Sequence, residues 1–193
     1  MGQPEVANCC TVDITKAADL SSRNYIRIAG FEIRNTGDAG VYTANGWYAS
    51  TYNTKGNQIV NNYIHHVQGD AGAIDARNSD GLLAENNEIY NVTGTHAFHI
   101  GGELHAKNLT ARGNNLHYLG QDGFFGGCDD CLFEYNVMYD SIHTDLHQDG
   151  FSLSNVERSI FRYNRIWDFT QLIYFPLKDE AGFHVEDLQI YGN

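Results

Sequence analysis

Six asparagines recur along this chain, Asn62, Asn87, Asn114, Asn136, Asn164 and Asn193, with gaps of 25, 27, 22, 28 and 29 residues. The residue three before each is apolar: Ile59, Ala84, Ala111, Phe133, Phe161 and Ile190. The residue two after is apolar in every copy that continues: Ile64, Ile89, Leu116, Met138 and Ile166. An earlier copy over residues 26–33 keeps the apolar pattern with Phe31 in the asparagine place. A repeat of this period specifies a stacked, quasi-one-dimensional fold. The units are too short and too poor in helical periodicity for helix pairs. Their short alternating runs, bounded by Gly, Asn and Asp, read as strands. The Leu-x-x-Leu-x-Leu frame of leucine-rich repeats is absent. The pattern predicts a parallel coil of strands, each turn stacked on the last at roughly 4.8 Å. In such a stack an asparagine at a fixed bend meets its own copies, and its amide can donate and accept along the axis. That use accounts for a residue type that otherwise avoids strands.

The chain has 193 residues, enough for one domain with a sizeable core. It carries 12 basic and 24 acidic residues, a net charge of −12. That balance argues against general nucleic-acid binding and against an anionic membrane surface. It also weakens capture of an acidic polysaccharide unless calcium or a local basic cluster bridges the two. The 20 glycines and 2 prolines suit tight bends between strands. No run of 18 apolar residues spans a membrane, and no signal peptide is visible at Met1. Residues 188–193 stop at the bend of a new coil, and no cap precedes the first coil, so a piece of a longer solenoid is expected. Residues 1–23 read as an entry segment, with residues 12–15 as a strand of a preceding coil, and residues 24–193 as the solenoid. Cys9-Cys10 and Cys128-x-x-Cys131 lie about four coils apart, roughly 19 Å, too far for one shared zinc site. The CxxC suits a turn disulfide or free thiols, and no βαβ context marks it as a redox motif.

Each coil also predicts a third strand: residues 40–43, 72–76, 97–100, 123–125, 150–153 and 172–175. Val41, Phe98, Phe124, Phe151 and Ile173 form its inward column. Ile74 joins them, because the other register would bury the Asp75 carboxylate. The outward column then reads Tyr42, Asp75, His99, Phe125, Ser152 and Tyr174, with Arg77 on the same face. The loops leading in carry Asp38, Asp70, His96, Asp122, His143, Asp145, His147 and Asp149. The largest insertion, residues 41–57, holds Trp47, Tyr48 and Tyr52, which can stack on sugar faces or cover the coil.

The asparagine column, the phrases Asn-Tyr-Ile-Arg-Ile-Ala-Gly-Phe-Glu-Ile-Arg-Asn (24–35) and Ala-Glu-Asn-Asn-Glu-Ile-Tyr-Asn-Val (84–92), and the Asp-Gly-Phe strand starts resemble the pectate-lyase-like superfamily. The resemblance covers residues 24–193. It implies an all-β, right-handed parallel β-helix of about six coils, with three parallel sheets and a substrate groove along the third. It also implies a secreted or cell-envelope protein. That superfamily holds polysaccharide lyases, glycoside hydrolases, uronate epimerases, and non-catalytic adhesins and phage spikes. The Asn-Thr-Asp, Asp-Asp, Gly-His-Gly set of polygalacturonases and the Arg-x-x-x-Arg of pectate lyases are missing, so function must be argued from the site.

Two clusters could carry chemistry. In residues 143–150, His143, Asp145, His147 and Asp149 alternate, so in extended backbone they share one face. Such a set can bind calcium or another divalent cation, or pass a proton; it can equally be a solvated loop. In the second cluster, Asp75 and His99 stack on adjacent coils roughly 5 Å apart. A hydrogen bond between them would raise the histidine's pKa and orient it as a base, or serve only as a structural pair. Asp122 and Asp149 hold the same loop position one coil apart. That spacing suits retaining glycoside hydrolysis or a calcium site. The resulting expectation is a polysaccharide lyase or glycoside hydrolase. His99 or His147 would be its base, Asp122 and Asp149 acid, base or metal ligands, and Arg77 the partner of a substrate carboxylate. Trp47, Tyr48, His96, Tyr174 and Lys178 would contact the sugar; Lys178 reads as the base or charge neutraliser of an elimination, or as a surface lysine. The competing expectation is a non-catalytic β-helix that binds glycan. Tyr90, Tyr139 and Trp167, each just after the second-strand apolar position, read as packing.

Overall fold

The asparagine column builds the corner it occupies. The computed structural model describes residues 14–44, 51–52, 54–101, 105–142, 147–175 and 185–193. Asn62 Nδ2 donates to Asn87 Oδ1 at 3.0 Å, and the pattern repeats through Asn114, Asn136, Asn164 and Asn193 at 2.9–3.0 Å. The second amide proton goes back one coil to a main-chain carbonyl, as from Asn114 to Ala84 at 3.0 Å. Each Oδ1 accepts a further bond from the backbone N–H of the asparagine before it, as from Asn87 to Asn114 at 3.0 Å. Both donors and both lone pairs of an interior amide are therefore used, and Asn62 to Asn164 are buried without penalty. The residues ahead of them, Gly30, Asn61, Asn86, Gly113, Tyr135, Tyr163 and Gly192, sit at φ between +53° and +76°. Glycine and asparagine tolerate that conformation most readily.

Three principal strands make each turn, all paired in parallel with the turns above and below. The first strands form a seven-stranded sheet from Arg27–Ala29 and Gln58–Val60 to Gln189–Tyr191. The second strands follow the asparagine bend, as in Tyr63–Val67, Glu88–Val92 and Asn115–Leu119. The third include Gly72–Asp75, Phe98–His99, Phe124–Asp129, Asp149–Glu157 and Gln171–Tyr174. A short fourth run, Thr54–Lys55, Ser79–Asp80 and Ala106–Lys107, adds to the three expected sheets. In later coils the third strand runs on through that position to pair with Val185–Glu186. Ile14–Asp19 pairs with the end of Glu32–Tyr42, so coil geometry already holds within the segment expected to be an entry. Among the described residues no helix is long and apolar enough to cross a membrane.

The interior is filled by the columns expected from the repeat. Val41, Ile74, Phe98, Phe124, Phe151 and Ile173 are in register, with Ile74 inside. Phe98, Phe124 and Phe151 stack at 4.6 and 5.0 Å, and Phe133 and Phe161 stack at 4.6 Å and meet them edge-on. Each such fully buried side chain contributes about 1.5–3 kcal/mol. Gly123 and Gly150, each one position before the inward Phe124 and Phe151, are glycine for a steric reason. A Cβ on Gly123 would lie 2.5 Å from the Gly150 carbonyl oxygen of the next coil, and one on Gly150 would lie 2.7 Å from that of Leu172. Cys128 and Cys131 form a disulfide across the bend after Phe124–Asp129, with Cα atoms 6.1 Å apart. Cys9 and Cys10 lie outside the described residues.

The three outer faces differ in chemistry. The first sheet carries ion pairs, Glu85 with Arg112 at 2.9 Å and Glu134 with Arg162 at 2.7 Å. The second carries a stack of five rings, His65, Tyr90, His117, Tyr139 and Trp167, with centroids 4.6–5.2 Å apart. The packing role expected of Tyr90, Tyr139 and Trp167 is thus extended by two histidines. The third carries the ionisable cluster.

Candidate functional site

The outward column of the third sheet has the expected register: Tyr42, Asp75, His99, Phe125, Ser152 and Tyr174 are successive partners. Outward does not mean open, however. Asp75 is 0% exposed and His99 4%, and Tyr42 and Ser152 are buried as well. Tyr42 packs with Ala39, Ala44 and Ala71 in a small second core on the outside of the coil.

The expected Asp75–His99 hydrogen bond is replaced by another. Arg77, two residues on and on the same face, folds back over Asp75. Its Nε donates to both carboxylate oxygens at 2.9 and 3.0 Å, its backbone N–H donates at 3.1 Å, and Nη2 donates as well. A guanidinium fork satisfies a buried carboxylate better than one imidazole nitrogen can. Burial still holds the Asp75 carboxyl above its ordinary range, against the pull of Arg77. His99 therefore moves opposite to expectation: its pKa is pushed down to about 3 by burial, then by the charge of Arg77 and by His96. It is a neutral ring at neutral pH, held by the backbone of Asp70 and set edge-on to Phe125 at 5.2 Å. The Arg77 charge, expected to meet a substrate carboxylate, is committed inside the protein to Asp75.

Two other His–Asp pairs take shape one coil further on. His96 Nδ1 stands 3.0 Å from Asp122 Oδ2, and its ring stacks on Phe125 at 4.1 Å. His96, expected to contact sugar, is buried beside Asp122. Asp122 Oδ1 accepts the backbone N–H of Asp149 at 2.9 Å, while His96 Nδ1, close to Oδ2, makes no hydrogen bond of ordinary geometry. Asp149 Oδ2 lies 2.8 Å from His147 Nδ1. Asp149 Oδ1 is buried and makes no hydrogen bond of ordinary geometry. Burial raises the Asp149 carboxyl above the usual range and the Asp122 charge adds to this, while His147 and Ser152 pull the other way. The His147 side chain is 50% exposed and tilts over Tyr174 at 4.7 Å between centroids. Asp122 and Asp149 do share one position on adjacent coils, but as two buried anchors rather than two carboxylates facing a common cleft.

The cluster thus has a closed end at Asp75–Arg77–His99 and an open end at His147 and Tyr174. Proton transfer is available at the open end. A histidine anchored through Nδ1 by a carboxylate has its tautomer and ring orientation fixed, and Nε2 is left to exchange protons. His143 and Asp145, the other half of the expected metal set, lie outside the described residues, as do Trp47, Tyr48 and Lys178. Among the described residues no group of three His, Cys, Asp or Glu side chains is placed to hold a metal ion. The sequence reading missed that His96 pairs with Asp122. The signal was present, since both stand two residues before the inward phenylalanines Phe98 and Phe124.

No curated protein and no solved structure matches the chain. The sequence model described as right handed beta helix region matches residues 50–193, and the chain belongs to that family.

Proposed function

We propose that this β-helix is a carbohydrate-active enzyme that breaks glycosidic bonds of a polysaccharide along its third sheet, with His147 as the proton-transfer group and Asp149 as the residue that positions it. The observation that carries this reading is the exposed His147 ring anchored at 2.8 Å to the fully buried Asp149. A buried carboxylate that takes a surface histidine as a partner beside Ser152 orients that histidine at a cost in desolvation. Asp122 is a second positioning residue, because it fixes the Asp149 backbone and His96. Tyr174 and Phe125 supply ring faces or edges for sugar contact. The Cys128–Cys131 disulfide supports an extracellular or cell-envelope location, where such bonds persist. A divalent cation such as calcium at His147 and Asp149, with His143 and Asp145 from outside the described residues, is the alternative role for this cluster, because a ring nitrogen that ligates a cation is not free to exchange a proton.

One observation favours a second reading, a non-catalytic glycan-binding scaffold. Asp75, Arg77, His96, His99 and Asp122 are all nearly inaccessible, as structural pairs would be. The test is turnover of a panel of purified polysaccharides by the chain and by His147→Ala and Asp149→Asn. Product would be read as new reducing ends, and as ultraviolet absorbance of any unsaturated sugar. Loss of turnover in His147→Ala with an unchanged circular dichroism spectrum supports the enzyme. Glycan binding that survives both substitutions, with no turnover by the parent chain, replaces it with the scaffold.

A further inference from the structure

Beside the asparagine column stands a second set of asparagines. Asn61 and Asn86 each precede a ladder residue, and Asn115 follows one. With Tyr63, Glu88 and Gly113 they line an open cleft of about 310 Å³ at the bend between the first and second sheets, with the buried ladder at its base. Left-handed backbone accounts for Asn61 and Asn86, at φ +55° and +53°, because asparagine tolerates it. It does not account for Asn115, which opens the strand Asn115–Leu119, where asparagine is disfavoured. The ladder amides are saturated, but among the described residues the side-chain amides of Asn61, Asn86 and Asn115 make no hydrogen bond to protein. Gly113 makes the room: tyrosines hold its column position on the next two coils, and a Cβ on Gly113 would lie 2.3 Å from Asn86 Oδ1. Tyr63 supplies an accessible ring, 46% exposed, whose neighbours in register are Glu32 and Glu88. The five stacked rings beside it instead cover one another's faces, with 6–12° between planes.

We infer that this cleft is a glycan-binding site separate from the third sheet, and that it takes a sugar unit against the side-chain amides of Asn61, Asn86 and Asn115. Each amide offers a donor and an acceptor side by side, which matches neighbouring sugar hydroxyls that both donate and accept. Glu88, whose Oε1 also lies 3.3 Å from His117 Nε2, adds acceptors, and the Tyr63 ring offers a surface that a pyranose face can cover. Tyr63 is the one ring among the lining residues, so the cleft suits a hydroxyl-rich ligand and not an apolar one. Its volume is at the small end of those that hold small molecules, enough for a single sugar unit of a longer chain. The inference does not depend on the enzyme reading. A glycan held at this bend is tethered to the coil whether or not the third sheet turns it over.

The experiment is a nuclear magnetic resonance titration of the isotope-labelled full chain with cellotetraose, xylotetraose, mannotetraose and chitotetraose in turn. The expected result is that at least one probe shifts the side-chain amide signals of Asn61, Asn86 and Asn115 together and saturably. Asn86→Gly keeps the left-handed backbone and Asn115→Thr suits a strand, so neither disturbs the coil. Each should weaken that binding about fivefold, the loss of one hydrogen bond. Binding unchanged in both variants, or no shift at these amides with any of the four probes, overturns the inference. Shifts confined to His147 and Tyr174 overturn it too and leave the third-sheet reading standing. Saturable shifts at the bend in a chain that turns over no polysaccharide uphold it and sink the enzyme.

Discussion

Replacing Asn114 by alanine removes four buried hydrogen bonds from the middle of the asparagine column. Two are donated by its Nδ2, to Ala84 O at 3.0 Å and Asn136 Oδ1 at 2.9 Å. Two are accepted by its Oδ1, from the backbone N–H and the Nδ2 of Asn87, both at 3.0 Å. Some partners keep a second bond. Asn136 Oδ1 retains the Asn114 backbone N–H at 3.1 Å, and Asn87 Nδ2 retains Ile59 O at 2.8 Å. The Asn87 backbone N–H loses its side-chain acceptor in a place water does not reach. An unmade buried donor costs about 1–3 kcal/mol and each lost neutral bond about 1 kcal/mol, so Asn114→Ala should cost roughly 4 kcal/mol. Asn193→Ala removes the acceptor of the Asn164 backbone N–H and Nδ2 and its own bond to Phe161 O at 3.0 Å, but Asn193 itself is exposed, so it should cost less, roughly 2 kcal/mol. Asn114→Asp sharpens the test. An ionised carboxylate offers no proton to Ala84 O or Asn136 Oδ1, so at pH 7 it should cost at least as much as alanine. Part of that loss should return on acidification, because a protonated carboxyl can donate one bond. The assay is urea unfolding followed by far-ultraviolet circular dichroism, each variant compared with the parent at the same pH and with its m-value checked. A cost for Asn114→Ala below about 1 kcal/mol, or no larger than that of Asn193→Ala, would mean that strand pairing alone holds the stack.

Three further outcomes are expected. His99 has a folded pKa of about 3 against 6.5 when free, so between those values the unfolded chain takes up a proton that the folded chain refuses. The stability this site contributes is complete above pH 6.5 and is lost as the pH falls. The parent should therefore lose about 1.2 kcal/mol more than His99→Gln between pH 7 and pH 5.5, and equal losses would contradict a neutral buried ring. Replacing Cys128 and Cys131 together by alanine should lower stability by about 2 kcal/mol, the loop-entropy value for a closure this short, and an unchanged urea midpoint would count against it. Gly126 sits at φ +120°, where a Cβ would lie 2.1 Å from the Gly101 nitrogen, so Gly126→Ala should lower the melting temperature by roughly 6–12 °C, and a shift under about 2 °C would refute the close approach.

What could be read in the sequence followed the axis of the stack. The asparagine interval fixed which residues become neighbours along the coil, and from it the inward column Val41, Ile74, Phe98, Phe124, Phe151 and Ile173 follows residue by residue. The same interval held more than was taken from it. The third residue after each interior asparagine is His65, Tyr90, His117, Tyr139 or Trp167, every one of them planar, and these are the rings that stack on the second sheet. In-register stacking rewards flat side chains at one position, so a column of rings was predictable on the same grounds as a column of amides.

Lateral pairing was not legible in this way, and the site depends on it. A repeat states that Asp75 and His99 are neighbours; it does not say which of its neighbours a carboxylate will choose. Arg77 reaches Asp75 along the same strand, through a side chain long enough to fold back and with a fork that matches both oxygens. His99 is left in a dry position where the charged imidazolium is disfavoured, and its pKa moves down instead of up. His96 and His147 lie instead beside Asp122 and Asp149, at 3.0 and 2.8 Å, and among the described residues no arginine pairs with either carboxylate. The general consequence for a solenoid is that a catalytic pair is better sought where a carboxylate and a histidine stack with no cation two residues away on the same face. In this chain that criterion, applied to the outward positions of the third sheet, rejects Asp75 because of Arg77 and retains Asp149, the carboxylate that anchors the one exposed histidine among the described members of the cluster.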